Sequence, residues 1–466
     1  MSKKFITTTL PYANGSGAHI GHAFEFLLAD FIAEYWRYKN GFENVFLNVG
    51  LDEHGTKIYQ QSIKENLSPQ EFCDKQFIKW KNFCKDFNIN YNNFYRTTDK
   101  THKENFLLFF EEIKKDTYTK KYEGNYCVGC ESFITKKEIL YPNNCPIHKT
   151  NLIFLEEENL FLNLKKYSSH IKDTLIDKSL SLELENIIKD SFDLSITRKN
   201  VVWGIKHENG DTFYVWAEAL SNYLFAAGYF RDRDEFILYW SNSLQICGHD
   251  NLKFQSYVFP AMCLAAGIPQ AKEVLVHGII LDEKGNKMSK SENNIIDPVE
   301  QKNKFGLLPL KYYLVFGLNT YKNSKYSEKD LIELWNSDIV NGLGNTISRT
   351  LHLIDKKNVF LDYNSLSDDF KNKLNTEYNH IDSLFQDYEF SSIRLALINI
   401  IGQINERFNN EKPFDKNCIN YAEILNELYF QLKNIMPFYQ IILKEKSDDL
   451  KRAFEENKKV ILFERI

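Results

Sequence analysis

The sequence predicts an α/β fold with a doubly wound parallel sheet, followed by an all-α region. Three observations carry this. Residues 1 to about 115 alternate strand-like and helical runs, which implies a parallel sheet with ligands at the C-terminal strand ends. Residues 243 to 300 repeat the alternation as a second half. From about Tyr326 the strand signals fade and amphipathic helices follow.

The totals exclude several classes. A chain of 466 residues has room for roughly two to four domains. Hydrophobic content of 43% and charged content of 26% suit a soluble globular protein. A net charge of −5 argues against non-specific coating of nucleic acid. Met1-Ser2-Lys3-Lys4 leads straight into a strand, so no signal peptide is expected. No run approaches the length of a membrane span, and a cytoplasmic setting is expected. Of eight cysteines, three cluster between 127 and 145, which suits metal binding in a reducing compartment.

In order along the chain, Lys4 to Leu10 is the first strand and Ala23 to Tyr38 a helix ending before Gly41. Between them lies Pro11-Tyr12-Ala13-Asn14-Gly15-Ser16-Gly17-Ala18-His19-Ile20-Gly21-His22. This is a Gly/Asn/Ser turn feeding a helix whose first turn holds two histidines around a glycine. Free N–H groups and the positive dipole end suit a phosphate there. Two imidazoles can hydrogen-bond an oxyanion, and Gly21 lets a flat base approach the backbone. Taken alone, such a pair is more often incidental or packed.

Glu43 to Gly50 is a buried-strand pattern ending in Leu51-Asp52-Glu53-His54-Gly55. Asp52 reads as a helix N-cap or as the anchor of a substrate ammonium, and the two are compatible. Then comes C-x2-C-x14-C-x2-H: Cys127, Cys130, Cys145 and His148. Four such ligands make a closed tetrahedral zinc site, structural because no position is left for water. Asn159 to Leu164 alternates like a strand, and Lys165 to Lys189 is broadly helical. Asp193 to Arg198 leads to Trp203-Gly204-Ile205. On the next helix Trp216, Ala219 and Tyr223 share one face, a stripe that composition alone assigns to core.

The second half places Ser243 to Cys247 as a strand with Gly248 and Asp250 at its end, where a ribose would sit. Asn251 to Ala266 is a helix, and Glu273 to Leu281 a strand before Lys287-Met288-Ser289-Lys290-Ser291. Lysines at such an edge can close over phosphates, although a loop of this composition is usually a solvated turn. Helices follow at Ser327 to Lys356, Ser367 to Gln386, Ser391 to Asn409 and Tyr421 to Lys433. Asn341, Asn345 and Arg349 form a polar stripe, either a solvated face or one that reads unstacked bases. Phe414 sits in a constrained turn as a possible stacking platform.

The histidine and lysine stretches together resemble the HIGH and KMSKS signatures of class I aminoacyl-tRNA synthetases. TLPYANG, LDEHG, the zinc pattern, DLSITR with WGI, YVW-x-x-A-x-x-x-Y and NxxGNxxxR then resemble, in order, the methionyl-tRNA synthetase family. The resemblance implies a Rossmann-type parallel-sheet catalytic domain with an inserted zinc-knuckle connective domain, followed by an all-α helical-bundle anticodon-binding domain. The implied boundaries are 1–115 and 226–300 for the two catalytic halves, 116–225 for the insertion with its knuckle at 127–148, 301–325 for a stem-contact linker and 326–466 for the bundle.

It implies methionine activation with ATP and Mg2+, then transfer to tRNA(Met), with one structural Zn2+. His19, His22, Lys287 and Lys290 would act on the phosphates. Gly21, Gly248, Asp250, Met288 and Ser289 would bind ATP. Leu10, Tyr12, Asp52, Trp216, Ala219, Leu220, Tyr223 and Gln255 would bind methionine. Asn341, Asn345, Arg349 and Phe414 would read the anticodon. Three positions depart from the family: Gln255 replaces a histidine, His249 a lysine and Phe414 a tryptophan. Two alternatives stand beside this reading, a related ligase for another amino acid and a non-catalytic tRNA-binding paralogue. A monomer is expected.

Overall fold

The computed structural model describes residues 3–127, 132–134, 139–146, 149–288, 294–456 and 462–466. The chain divides into two compact units, Met1–Ala18 with Asn40–His277, and His19–Lys39 with Gly278–Ile466.

The first unit is built on a five-stranded, wholly parallel sheet. Its order is Glu273–His277, Ser243–Gly248, Lys4–Thr7, Val45–Leu51, Asn93–Arg96. The chain's first strand is therefore central, with Ile6 between Leu244 and Leu47, and strand order reverses beside it. That reversal is where an open parallel sheet leaves a crevice for ligands. The strands inside the sheet are largely apolar and buried because both faces are covered, whereas the edge strand Asn93–Arg96 is only partly buried. Pairing runs on past Thr7: Asp52 N donates to Pro11 O at 3.0 Å and Ala13 N to Asp52 O at 2.9 Å. So the turn sequence Pro11–Ala13 lies directly beside Asp52.

The insertion is a separate antiparallel sheet, ordered Ser132–Ile134, Thr117–Cys127, Ile153–Leu162, Leu194–Ser195. Here sequence and structure part. The run Lys165 to Lys189 is not one helix: only Leu164–His170, Lys178–Leu180 and Ser181–Lys189 coil. Between them Val274 N donates to Thr174 O and Ile176 N to Val274 O, so the edge strand of the main sheet captures this segment. A tertiary backbone partner outweighs local helical preference.

Two further elements are interrupted. Phe254–Val258 is a π-turn ahead of the α-helix Phe259–Ala265, where Pro260 has no N–H for the ladder. Glu273 to Leu281 is broken after His277, and Ile280–Leu281 pairs instead with Ser324–Lys325. At the break a Cβ on Gly278 would lie 2.2 Å from the Lys322 backbone, so only glycine fits.

The second unit is helical. Helices Asp368–Gln386, Phe390–Glu411 and Tyr421–Ile442 match the expected bundle. The run from Ser327 is divided into Glu328–Leu334, a π-segment Trp335–Gly344 and Asn345–Lys357. Helix Ile20–Asn40 joins this unit through most of its length. Tyr35 stacks on Phe385 with centroids 4.8 Å apart and donates to Asp382 Oδ1 at 3.0 Å. Lys444 reaches Asp30 at 2.6 Å, and buried Lys311 reaches Glu445 at 2.8 Å.

Candidate functional site

The histidine turn has a specific geometry. His19 Nδ1 accepts from Gly21 N at 3.1 Å and His22 N at 3.4 Å, while His22 Nδ1 accepts from His19 N at 3.2 Å. The helix begins at Ile20, so the two imidazoles form a reciprocal capping box. The rings stack with centroids 3.7 Å apart. A nitrogen that accepts from a backbone N–H carries no proton. Each neutral ring therefore holds its proton on Nε2, as a donor. A Cβ on Gly21 would meet the His19 ring at 3.0 Å, so this glycine gives room to the cap as well as to any base.

The lysine loop lies in the same unit. Asp282 organises its turn, accepting from Asn286 N at 2.7 Å and Asn294 Nδ2 at 2.8 Å. Leu281 pairs with Lys287, which is exposed. Ser289 and Lys290 lie outside the described residues, and Met288 is the last one described before them. Just beyond, Ile296 O accepts from Ile20 N at 3.1 Å. The chain leaving the lysine loop is thereby bonded to the first residue of the histidine-capped helix.

In the first unit, the turn at Asp52 is held from several sides. Glu53, wholly buried, takes Arg96 Nε on both oxygens at 3.0 Å and also the Thr98 hydroxyl. Its backbone oxygen accepts from Trp203 Nε1 at 2.6 Å, and Gly55 N donates to Trp203 O. His54 Nδ1 lies 2.8 Å from Glu218 Oε1, and His102 Nε2 lies 2.6 Å from Glu218 Oε2. Asp52 itself is buried at the strand end.

Glu218 belongs to helix Val215–Ala226, which also carries Trp216, Ala219, Leu220 and Tyr223. Ala219, Leu220 and Tyr223 are buried; Trp216 is partly exposed and stacks flat on Phe254 at 4.0 Å. Gln255 Nε2 donates to the Tyr223 hydroxyl at 2.7 Å, and Gln255 Oε1 is buried with no hydrogen-bond partner among the described residues. Leu10 and Tyr12 are half-buried on the first strand's continuation, with Tyr12 paired to Asp52. Gly248 ends its strand, Asp250 is exposed one turn on, and His249 pairs with Glu183 at 3.1 Å.

Cys127 and Cys145 are both buried and pack with Leu152 in a cluster of their own. Cys130 and His148 lie outside the described residues, so among the described ones no group of three metal ligands occurs. In the bundle, Asn345 is exposed and Asn341 accepts from Arg465 at 2.9 Å. Arg349 lies over Phe408 at 4.2 Å, and Phe408 stacks against half-exposed Phe414 at 5.9 Å.

A family described as tRNA synthetases class I (M) matches residues 4–152 and 137–351. The chain belongs to that family. It is 32% identical over 429 residues to a methionine–tRNA ligase of Fusobacterium nucleatum, covering 88% of this chain and 67% of that one. It is 33% identical to the methionine–tRNA ligase of Mycoplasma genitalium, covering 92% of this chain and 88% of that one. A solved Mycobacterium tuberculosis methionyl-tRNA synthetase in complex with methionyl-adenylate superposes with a TM-score of 0.87 at 25% identity. That match covers 97% of this chain and 93% of that one.

Three features of this class I synthetase escape sequence reasoning. The His54–Glu218–His102 cluster joins residues up to 164 positions apart. Its one signal was a lone carboxylate inside a largely apolar helix. Phe254 as the partner of Trp216, and Phe408 as the support of Arg349, carry no such signal, since an aromatic at helical spacing reads as core.

Proposed function

We propose the following division of labour in the synthetase. The enzyme is a methionine–tRNA ligase. L-Methionine and ATP give methionyl-adenylate: the methionine carboxylate attacks the α-phosphorus, the bond to the β-phosphate oxygen breaks, and pyrophosphate leaves with its Mg2+. The methionyl group then passes to the 3′-terminal adenosine of tRNA(Met), with release of AMP. The observation that carries this is the near-complete superposition on a synthetase holding methionyl-adenylate.

A carboxylate is already a nucleophile, so the protein's task is to position it and to stabilise crowded negative charge. Donors from His19 and His22 would bind the phosphates, with Lys287 and Lys290 on the departing pyrophosphate. The shared unit and the Ile20–Ile296 hydrogen bond support that pairing. Gly21, Gly248, Asp250, Met288 and Ser289 would each bind ATP. Asp52 would pair with the ammonium beside Leu10 and Tyr12. Trp216, Ala219, Leu220, Tyr223 and Gln255 would enclose the thioether. Asn341, Asn345, Arg349 and Phe414 would meet the anticodon, supported by the Arg349–Phe408–Phe414 column.

Residues 1–115 and 226–300 would be the catalytic halves, 116–225 the connective insertion, 301–325 the linker and 326–466 the anticodon domain of a cytoplasmic monomer. Cys127, Cys130, Cys145 and His148 would hold one zinc. The two described cysteines fit it: they are soft donors, buried together in a small cluster with Leu152. When bound, the ion would supply folding energy only. Metal analysis is expected to find one zinc per chain, and Cys127→Ser to lose it along with the knuckle's protease resistance; a metal-free, fully resistant chain refutes the assignment.

The function is tested by amino-acid-dependent pyrophosphate exchange across a panel. Methionine is expected to be the best substrate. Preference for leucine or cysteine would overturn the reading.

A further inference from the structure

Helix Val215–Ala226 is buried along almost all its length, yet it carries Glu218 with no solvent exposure. A carboxylate in such a place has to be paired. Ionised, it can only accept, so His54 Nδ1–H and His102 Nε2–H both donate to it. His102 Nδ1 is then free to accept from the Tyr95 hydroxyl at 2.9 Å. Burial, with Glu218 nearby, pushes the Tyr95 hydroxyl well above its ordinary range, so it keeps its proton. Against the opposing effect of burial, His54 and His102 hold the Glu218 carboxyl below the usual carboxylate range.

The two ends of this cluster are the informative part. His54 lies two residues from Asp52, in a turn that is also bonded to Arg96, Thr98 and Trp203. Glu218 lies between Trp216 and Ala219 on the helix that also carries Leu220 and Tyr223.

We propose that Glu218 is a positioning residue that sets the length of the amino-acid site, by tying the turn of Asp52 to the helix of Trp216 and Tyr223 through His54. This rests on the reading that Asp52 takes the substrate ammonium and that this helix takes the side chain. An amino acid held at both ends is measured by the distance between them. Rigid support of that distance converts one methylene into discrimination of roughly 10- to 200-fold. His102 and Tyr95 complete the support by holding the second carboxylate oxygen.

The test is pyrophosphate exchange by the full chain with methionine, with the one-methylene-shorter S-methylcysteine, and with ethionine. The wild type is measured first; its failure to activate methionine would refute the underlying reading and not this one. Glu218→Ala is expected to raise KM for methionine about tenfold, the lower end of what loss of an outer partner costs at metal-ligand sites. KM for ATP should stay unchanged, and the preference for methionine over S-methylcysteine should shrink by a similar factor. Glu218→Gln still accepts from His54 and lets His102 switch tautomer, so it should restore most of the preference. His54→Ala added to Glu218→Ala should cost little more, because the two act through one bond. If Glu218→Ala does not fold, His54→Ala, which cuts the same tie and leaves Glu218 bonded to His102, carries the same readout. Variants that lose activity only in proportion to their folded fraction, with KM for methionine and the preference unchanged, overturn the proposal.

Discussion

Replacing His19 by Asn is expected to leave the fold stable and to cut adenylate formation by about 10²–10³-fold, the effect of removing one preorganised donor from a crowded oxyanion. The two functions of this side chain reside on different nitrogens. Nδ1 caps the helix by accepting from Gly21 N and His22 N. Nε2 carries the proton and is the atom proposed to donate to the phosphates. Asparagine is among the best N-cap residues, and its amide oxygen can take over the Nδ1 task. It has no donor at the reach of Nε2. His19→Ala should lose both functions, with a stability loss of about 1 kcal/mol added to the same catalytic defect. Thermal unfolding separates the variants, and exchange kinetics does not. An Asn variant that retains full exchange would show that Nε2 is not a phosphate donor.

The second large effect is on stability. Arg96→Ala is expected to cost about 3–5 kcal/mol, because it leaves Glu53 wholly buried without its cation. Burial already pushes the Glu53 carboxyl up, and Arg96 and Thr98 pull against it. Without Arg96 the folded-state value rises further above the unfolded value of about 4.3. A raised folded-state pKa means that the folded chain binds the extra proton. Stability relative to the wild type is then retained below the unfolded value and lost as pH rises through the folded one. The deficit should be smallest in mildly acidic buffer and largest at neutral pH, read by chemical denaturation at several pH values. A pH-independent deficit would place the cost in lost packing of Arg96 over Phe77, at 4.6 Å, instead of in the stranded carboxylate.

Both predictions concern groups whose importance was unevenly visible in the linear chain. The histidine pair was legible because a helix start with two imidazoles and a glycine is a local pattern. Sequence alone could not say that the imidazoles cap each other, which fixes where their protons reside. Glu53 and His54 stood beside Asp52 in a recognisable turn, but their partners Arg96 and Glu218 come from other elements. Asp52 itself was placed correctly at a strand end, since strand length follows from the apolar run.

By itself the sequence determined the parallel sheet, the helical second part and the position of the two signature stretches. All three are written in local order: periodicity states which face is buried, and spacing states which side chains share a turn. Tertiary structure decided the rest. It drew residues 174–176 out of a helical run onto the edge of Glu273–His277, because backbone donors beside an open strand need partners. It also decided what Glu218 faces. A buried charge is stable only where distant donors converge on it, and that convergence exists only once the chain has folded.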